Sequence, residues 1–206
     1  LGEVNRQDEA GMTALMWAAL NGHSMTCRLL LEHGADPEIK QAQGGNTAMH
    51  FAAGRGHVDI VRSLLSVGGR PSHRNHLRST PMLMALLYAG GKTLDEERSK
   101  RMCKVVHLLY AQGASVTDKT ADGSTLLDLA IDRQSLPAVD ILLKLGAQVN
   151  YFHPVTGCTP LQAVCASAHC GKEGFDMMRL LVGRGASVNR KADPVSLGKA
   201  LSDAVM

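Results

Sequence analysis

Residues 47–53 read Thr-Ala-Met-His-Phe-Ala-Ala, and this stretch decides the fold because variants of it recur along the chain. The other copies begin at Thr13, Thr80, Thr125 and Thr159. In each copy the phrase is followed by an apolar run rich in Leu, and then by a Gly that ends the unit. That Gly follows its Thr by 21, 21, 33, 21 and 26 residues in chain order. Self-similarity at this period indicates a repeat architecture in which neighbouring units bury each other's apolar faces.

Each unit contains two short apolar segments with helical spacing. In the first unit, residues 15–20 are rich in small side chains, and residues 26–31 are bulkier. We therefore predict a pair of helices per unit, the first packed closely between its neighbours. The closing Gly of each unit, such as Gly34, stands where a helix ends and a positive φ is sterically permitted. The Thr that opens each unit is a suitable helix N-cap.

The repeated line resembles the ankyrin repeat, whose units carry Thr-Pro-Leu-His-x-Ala-Ala, Gly-His, Leu-Leu and Gly-Ala-Asp. The fullest copy runs over residues 47–69, and the first copy ends in Gly34-Ala35-Asp36. The resemblance implies an all-α ankyrin-repeat solenoid of helix-turn-helix units joined by β-hairpin-like loops.

We expect a single domain over residues 1–206. Its repeats are predicted at about 8–40, 41–74, 75–119, 120–152 and 153–189, with a partial C-terminal cap at 190–206. Residues 1–5 match the tail of a preceding repeat, so we expect the chain to be a monomeric fragment of a larger protein.

Composition narrows the function classes. The formal net charge is only +3, and aromatic residues are too few to stack on bases, so neither feature indicates nucleic-acid binding. No apolar run approaches 20 residues, and we therefore predict no membrane insertion. The five cysteines show no disulfide framework, which favours a cytoplasmic or nuclear location.

The third repeat is the least regular. Its Thr-to-Gly spacing is 33 residues against 21 in its neighbours, and the extra residues fall between the two helices. Residues 90–92 break the chain, and Thr93 with Glu96 then forms the pattern of a capping box. Because residues 97–110 are continuously compatible with helix, we predict an elongated second helix. The insertion is either a tolerated extension or a contact surface of its own.

No catalytic chemistry is indicated. The sequence contains no phosphate-binding loop, nucleophile elbow or paired metal-ligand motif, so we predict no enzyme, no catalytic residue and no cofactor. Cys158, Cys165, His169 and Cys170 cluster in sequence, but their spacing matches no common zinc pattern. Ordinary packing and a polar loop are favoured there, and no metal site is predicted.

The resemblance implies that His23, His50 and His57 tie neighbouring turns together by hydrogen bonds. The counterparts of His50 in the other repeats are Met16, Leu83, Asp128 and Gln162, which argues against a repeated catalytic histidine.

The resemblance also implies partner binding by the hairpin tips and the exposed side of the first helices, which line a concave groove. Carried over to this chain, it selects twelve partner-binding positions: Met12, Trp17, Leu20, Asn21, Asn46, Arg55, Arg74, His76, Leu77, Arg78, Leu87 and Tyr88.

The composition of these positions is informative. Met12, Leu20, Leu77, Leu87 and Tyr88 are apolar at positions expected to face water. The finger between repeats two and three is basic, and no acidic residue interrupts it in sequence. Trp17 is interpreted either as core packing against the second repeat or as a binding anchor.

Two functions remain open. The first is a non-catalytic protein–protein interaction module that holds a partner segment with acidic residues across repeats one to three. The alternative is an intramolecular scaffold or regulatory arm of a larger multidomain enzyme or channel. The elongated third repeat is compatible with either.

Overall fold

The computed structural model describes residues 3–88, 96–120, 122–166 and 172–189. Within these ranges the chain forms ten helices in five successive pairs and no β-strand, which confirms the predicted fold class. The pairs are α1 (Ala14–Asn21) with α2 (Ser24–Glu32), α3 (Ala48–Arg55) with α4 (Val58–Ser66), α5 (Pro81–Tyr88) with α6 (Glu96–Ala111), α7 (Leu126–Asp132) with α8 (Leu136–Lys144), and α9 (Pro160–Ala166) with α10 (Lys172–Gly183).

The Thr of the repeated phrase is the N-cap of α1, α3 and α7. Thr13 precedes α1 and its Oγ1 accepts a hydrogen bond from the backbone N–H of Met16 at 3.2 Å. The helix ends at Gly22, whose φ of 79° places it in the left-handed region. A Thr side chain satisfies a donor that the helix leaves unpaired, and a Gly ends the helix without a Cβ clash.

The chain divides into two compact units, Leu1–Ser115 and Val116–Met206. In the first unit α1, α3 and α5 pack side by side, as do α2, α4 and α6. Its core contains the fully buried side chains of Leu15, Met49, Ile60, Leu64 and Leu109, among others. In the second unit α7 packs on α9 and α8 on α10, around Leu126, Leu127, Leu142 and Leu181.

Hairpin-like loops precede the first helix of each pair. Each is closed by a backbone hydrogen bond of 2.8–3.0 Å across its base: Asp8 N to Met12 O, Gln41 N to Asn46 O, Asn75 N to Ser79 O, Thr120 N to Ser124 O and His153 N to Cys158 O. These loops form the fingers on which most of the candidate binding residues stand.

The second helix of the third repeat is elongated, as predicted. α6 has 16 residues, whereas α2 and α4 have 9 each. Met102, Val105, Val106 and Leu109 bury its inner face. The predicted break at 90–92, the capping residue Thr93 and the C-terminal cap at 190–206 lie outside the described residues.

Candidate functional site

The C-terminal ends of the first helices form a row in the first unit. Asn21 and Arg55 each follow their repeat's Thr by eight residues, and α1, α3 and α5 are neighbours. Both side chains are exposed, whereas Leu20 and Leu87 beside this row are half-buried. The side chain of Tyr88 lies outside the described part.

Trp17 is an exposed and immobilised ring. Its side chain is 45% exposed, so the structure excludes core packing as its main role. The indole Nε1 of Trp17 donates to Asp8 Oδ2 at 2.8 Å, and Asn21 Nδ2 donates to the backbone oxygen of Trp17 at 3.0 Å. The indole bond, together with bonds from the N–H groups of Met12 and Ala10, holds the pKa of the Asp8 carboxyl below its usual range. An aromatic ring fixed at the surface loses little entropy on binding a partner.

Met12 does not face water, and that prediction is wrong. Only 4% of the residue is exposed, and its carbonyl oxygen accepts from Asp8 N across the base of the hairpin. Its own N–H donates to Asp8 Oδ1 at 2.8 Å. Met12 therefore belongs to the base of the finger, and its side chain is not available to anchor a partner.

The fingers of repeats two and three are tied to each other. Asn75 Nδ2 donates to Asn46 Oδ1 at 2.8 Å, so Asn46 acts as a link between fingers and is only half-exposed. The backbone N–H of His76 donates to Gly44 O at 3.0 Å, and His76 Nδ1 lies 3.3 Å from Gln43 O. Leu77, next along the chain, projects from the tip with 73% of its surface exposed.

Arg78 adopts a backbone conformation that favours glycine. Its φ is 59°, and the equivalent positions in the other repeats are Gly11, Gly45, Gly123 and Gly157, all with positive φ. A left-handed conformation costs an ordinary residue about 1–2 kcal/mol. The fold accommodates this strained Arg at the third finger.

The basic finger is partly neutralised, which corrects the prediction from sequence. Glu38, from the preceding loop, places Oε2 at 3.0 Å from His73 Nδ1 and 3.8 Å from Arg70 Nε. Arg55 and Arg78 are exposed and form no ion pair or side-chain hydrogen bond within the described residues. Arg74 is also exposed. Arg55 and Arg78 thus supply positive charge that is not paired with a carboxylate in the described part of the chain.

His50 and His57 are structural, as the resemblance implied. Thr47 N donates to His50 Nδ1 at 3.1 Å, and His50 Nε2 lies 3.0 Å from Ser79 O in the next repeat. Because Nδ1 accepts, Nε2 carries the proton and donates to Ser79. Burial lowers the pKa of His50 to about 4, so the ring is neutral at pH 7. His57 Nε2 similarly lies 3.4 Å from Leu20 O in the preceding repeat.

One cluster that sequence reasoning missed has the composition of a catalytic triad. Ser124 Oγ lies 3.0 Å from His153 Nε2 and donates to Asp122 Oδ2 at 2.7 Å. His153 Nδ1 accepts the backbone N–H groups of Val155 and Thr156, so its proton resides on Nε2. A histidine that already donates to the serine cannot remove the serine's proton. The pair occupies the positions of Asn46 and Asn75 and is the same finger-to-finger link in the second unit.

The cysteine cluster of repeat five shows no metal site in its described part. Cys158 is half-buried, and Cys165 Sγ lies 3.5 Å from Met178 Sδ. No three His, Cys, Asp or Glu side chains converge as metal ligands within the described ranges. His169 and Cys170 lie outside them.

No described helix combines the length and apolar character needed to span a bilayer.

Comparison with known proteins supports the repeat assignment. A family model described as "Ankyrin repeats (3 copies)" matches residues 1–88 and 98–192. The chain is also similar to the palmitoyltransferase akr1 of Schizosaccharomyces pombe, with 62% identity over 34 residues. That stretch covers 16% of this chain and 5% of the palmitoyltransferase.

Proposed function

We propose, given that this chain belongs to the ankyrin-repeat family, that it is a non-catalytic module binding a partner protein segment in the concave groove of repeats one to three. Ankyrin repeats are generally protein-interaction modules. The left-handed Arg78 is the observation that carries the proposal. Residues in strained backbone conformations cluster at binding and active sites, and the four other fingers use Gly at this position, so the retained Arg78 supports a binding role.

The anchors have the character of interface hot spots. Trp17 and Leu77 are exposed apolar side chains, and hydrogen bonds fix the loops or helices that bear them. Leu20 and Leu87 extend the proposed contact along the helix ends, beside Asn21, and Tyr88, whose side chain lies outside the described part, remains a proposed binding residue. Such preorganised anchors supply most of the affinity in a typical interface.

The exposed cations define the partner's chemistry. Arg55 and Arg78 present exposed guanidinium groups that form no ion pair among the described residues, and Arg74 and His76 belong to the same finger as Arg78. Guanidinium forms charge-assisted pairs with carboxylates. The partner segment is therefore proposed to carry acidic residues next to apolar ones.

The hydrogen bonds of His50 and His153 support the proposal that the chain is not catalytic. Both ring nitrogens of His50 are engaged inside the core, and His153 donates to Ser124 rather than accepting from it. Neither histidine is positioned as a general base. The free thiols of Cys27, Cys103, Cys158 and Cys165 are compatible with a reducing cytoplasmic or nuclear location, which forms part of the proposal.

An array of 15-residue peptides, combining acidic and apolar residues in varied order, tests this function on the whole chain. We expect selected peptides to bind with micromolar affinity and to lose about tenfold or more on Trp17→Ala. Arg55→Glu should abolish the preference for acidic peptides. Arg133→Glu, at the equivalent position of repeat four, is the matched control and should leave binding unchanged. Peptide binding that is insensitive to both Trp17→Ala and Arg55→Glu would refute the groove assignment.

The elongated α6 favours a second candidate, an intramolecular scaffold or regulatory arm of a larger multidomain enzyme or channel. The helix has 16 residues, against 9 in α2, α4 and α8 and 12 in α10. In this case the array would yield no binder, whereas deletion of residues 92–100 from the complete protein would impair its assembly or activity.

A further inference from the structure

A cavity of about 300 Å³ opens in the second unit, between the loops that precede α7 and α9. Its walls include the apolar side chains of Val116 and Leu127 and the rings of Tyr151 and Phe152. This volume is at the lower end of the range for small-molecule sites. The groove proposed above for a partner segment uses none of these residues, so the two sites are separate.

At three other junctions between repeats, the chain itself forms a hydrogen bond at the equivalent position. There, the backbone N–H two residues after the closing Gly donates to a side-chain oxygen of the preceding loop at 2.8 Å. The pairs are Asp36 N with Asn5 Oδ1, Arg70 N with Glu38 Oε1, and Ser187 N with Asn150 Oδ1. Each of these three loops thus provides an acceptor for the repeat that follows it.

The junction at the cavity lacks this bond. Gln148 is the residue two positions after its closing Gly146, and Thr117 stands where the other loops carry Asn5, Glu38 and Asn150. Thr117 and Gln148 both line the cavity. Within the described part of the chain, no hydrogen bond is formed by Gln148. Because a backbone N–H is a strong donor, the Gln148 N–H is available to the oxygen of a ligand in this cavity.

The first unit shows which chemical group fits such a place. At the junction between its first two repeats, the Glu38 carboxylate accepts from Arg70 N and contacts His73, the counterpart of Tyr151, whereas the preceding junction uses the amide oxygen of Asn5. In the second unit the Tyr151 hydroxyl lies 2.8 Å from Thr125 Oγ1 and is also hydrogen-bonded to Asp128, so it already has partners within the chain. Lys119 adds a positive charge to the lining, whose described residues include no acidic one.

We propose that this cavity binds a small carboxylate with an apolar body. The carboxylate accepts from the N–H of Gln148 and pairs with the ammonium group of Lys119, while the body lies against Tyr151 and Phe152. Charge-assisted hydrogen bonds of this kind are about twice as strong as neutral ones. The source of the carboxylate is either a free small molecule or the C-terminus of a peptide.

Phenylacetate is the probe of choice, titrated into the ¹⁵N-labelled whole chain with amide chemical shifts as the readout. We expect a saturable shift of the Gln148 amide, with a dissociation constant in the range of about 0.1–1 mM for so small a ligand. Phenylacetamide, which has the same body but no charge, should bind about tenfold more weakly or not at all. A second arm uses an acetylated dipeptide ending in Phe, and stronger binding of that peptide than of phenylacetate assigns the site to a chain terminus.

Two variants of Thr117 place the missing acceptor back into the chain. Thr117→Glu restores the group that Glu38 supplies in the first unit, and Thr117→Gln supplies a neutral amide oxygen, as Asn5 and Asn150 do. Both should abolish phenylacetate binding, while Lys119→Met should weaken it several-fold. Amide shifts of the first unit check that each variant is folded.

Three results would overturn the proposal. They are a titration without saturation, equal affinity for phenylacetate and phenylacetamide, and unchanged binding in both Thr117 variants. Since the peptide array above involves other residues, failure here leaves the proposed partner binding untouched.

Discussion

Arg78 occupies a hairpin position that is Gly in the four other repeats. Arg78→Gly removes the strain of a left-handed Arg, although Gly gains more entropy in the unfolded chain. We expect the free energy of unfolding to rise by about 0.5–1 kcal/mol, measured by urea denaturation. Affinity for an acidic partner segment should fall at the same time, because the guanidinium group is lost.

Gln134→Gly is the control for that variant. Gln134 has a φ of 53° and stands where the first two repeats have Gly22 and Gly56, far along the chain from the proposed groove. It should gain a similar stability without any change in partner affinity. If Arg78→Gly also left affinity unchanged, Arg78 would be a tolerated defect and not a binding residue.

His50 makes the stability of the fold depend on pH. Its folded pKa is about 4, against about 6.5 in the unfolded chain, so between these values the unfolded state binds the extra proton. The stability that neutral His50 provides is fully present above pH 6.5. It falls as pH falls from 6.5 to 4, at up to about 1.4 kcal/mol per pH unit.

His50→Gln isolates this contribution, because the fifth repeat already uses Gln162 in the same role. Thr159 N donates to Gln162 Oε1 at 2.9 Å, just as Thr47 N donates to His50 Nδ1. Between pH 7 and pH 4.5, the free energy of unfolding should fall in both proteins, and the fall should be smaller in the variant by on the order of 2 kcal/mol. Urea denaturation at each pH measures it. Parallel losses in both proteins would show that other groups control the acid dependence.

At the scale of the helix, α6 gains its stability from one face. Leu109 is completely buried, whereas His107 on the same helix is exposed. Leu109→Ala should cost about 2–5 kcal/mol through the lost burial and the cavity left behind. His107→Ala should change stability by less than about 0.5 kcal/mol, and thermal unfolding compares the two. Similar losses in both would mean that α6 is not held by its buried face.

The helices were predictable from sequence because five copies of one phrase report on the same local physics. The elongation of α6 also followed from spacing alone. The exposure of individual side chains was harder to predict from sequence, because it depends on which residues the folded loops bring next to them. Met12 is buried at the base of its own hairpin, and Trp17 is exposed although it lies on a helix rich in core residues.

At the scale of the molecule, the candidate sites fall into different compact units. The proposed groove lies in Leu1–Ser115, and the carboxylate cavity lies in Val116–Met206. Hydrogen exchange should therefore show protection of residues 13–21 and 74–88 on binding of a partner peptide. Phenylacetate should instead protect residues 116–119 and 147–152. Protection of both regions by either ligand alone would contradict this separation.

Sequence could not have located the cavity by any motif. In three junctions, a side-chain oxygen in one loop accepts a hydrogen bond from the next repeat, and the cavity lies where this bond is missing. That pattern of hydrogen bonds can be recognised only in the structure. Thr117 looks like any other loop residue until it is aligned with Asn5, Glu38 and Asn150. The same holds for the link between Ser124 and His153, which joins residues 29 positions apart.

The three hydrogen bonds in which a loop accepts from the following repeat run in one direction along the chain, and this affects how the array can evolve. Asn5, Glu38 and Asn150 each serve the repeat on their C-terminal side. A tandem duplication of one repeat length copies an acceptor and a donor in phase, wherever its ends fall, so a lengthened array keeps its junctions. A substitution in one loop, by contrast, alters the successor of that repeat, and comparison of relatives should show loop residues co-varying with the following repeat more than with their own.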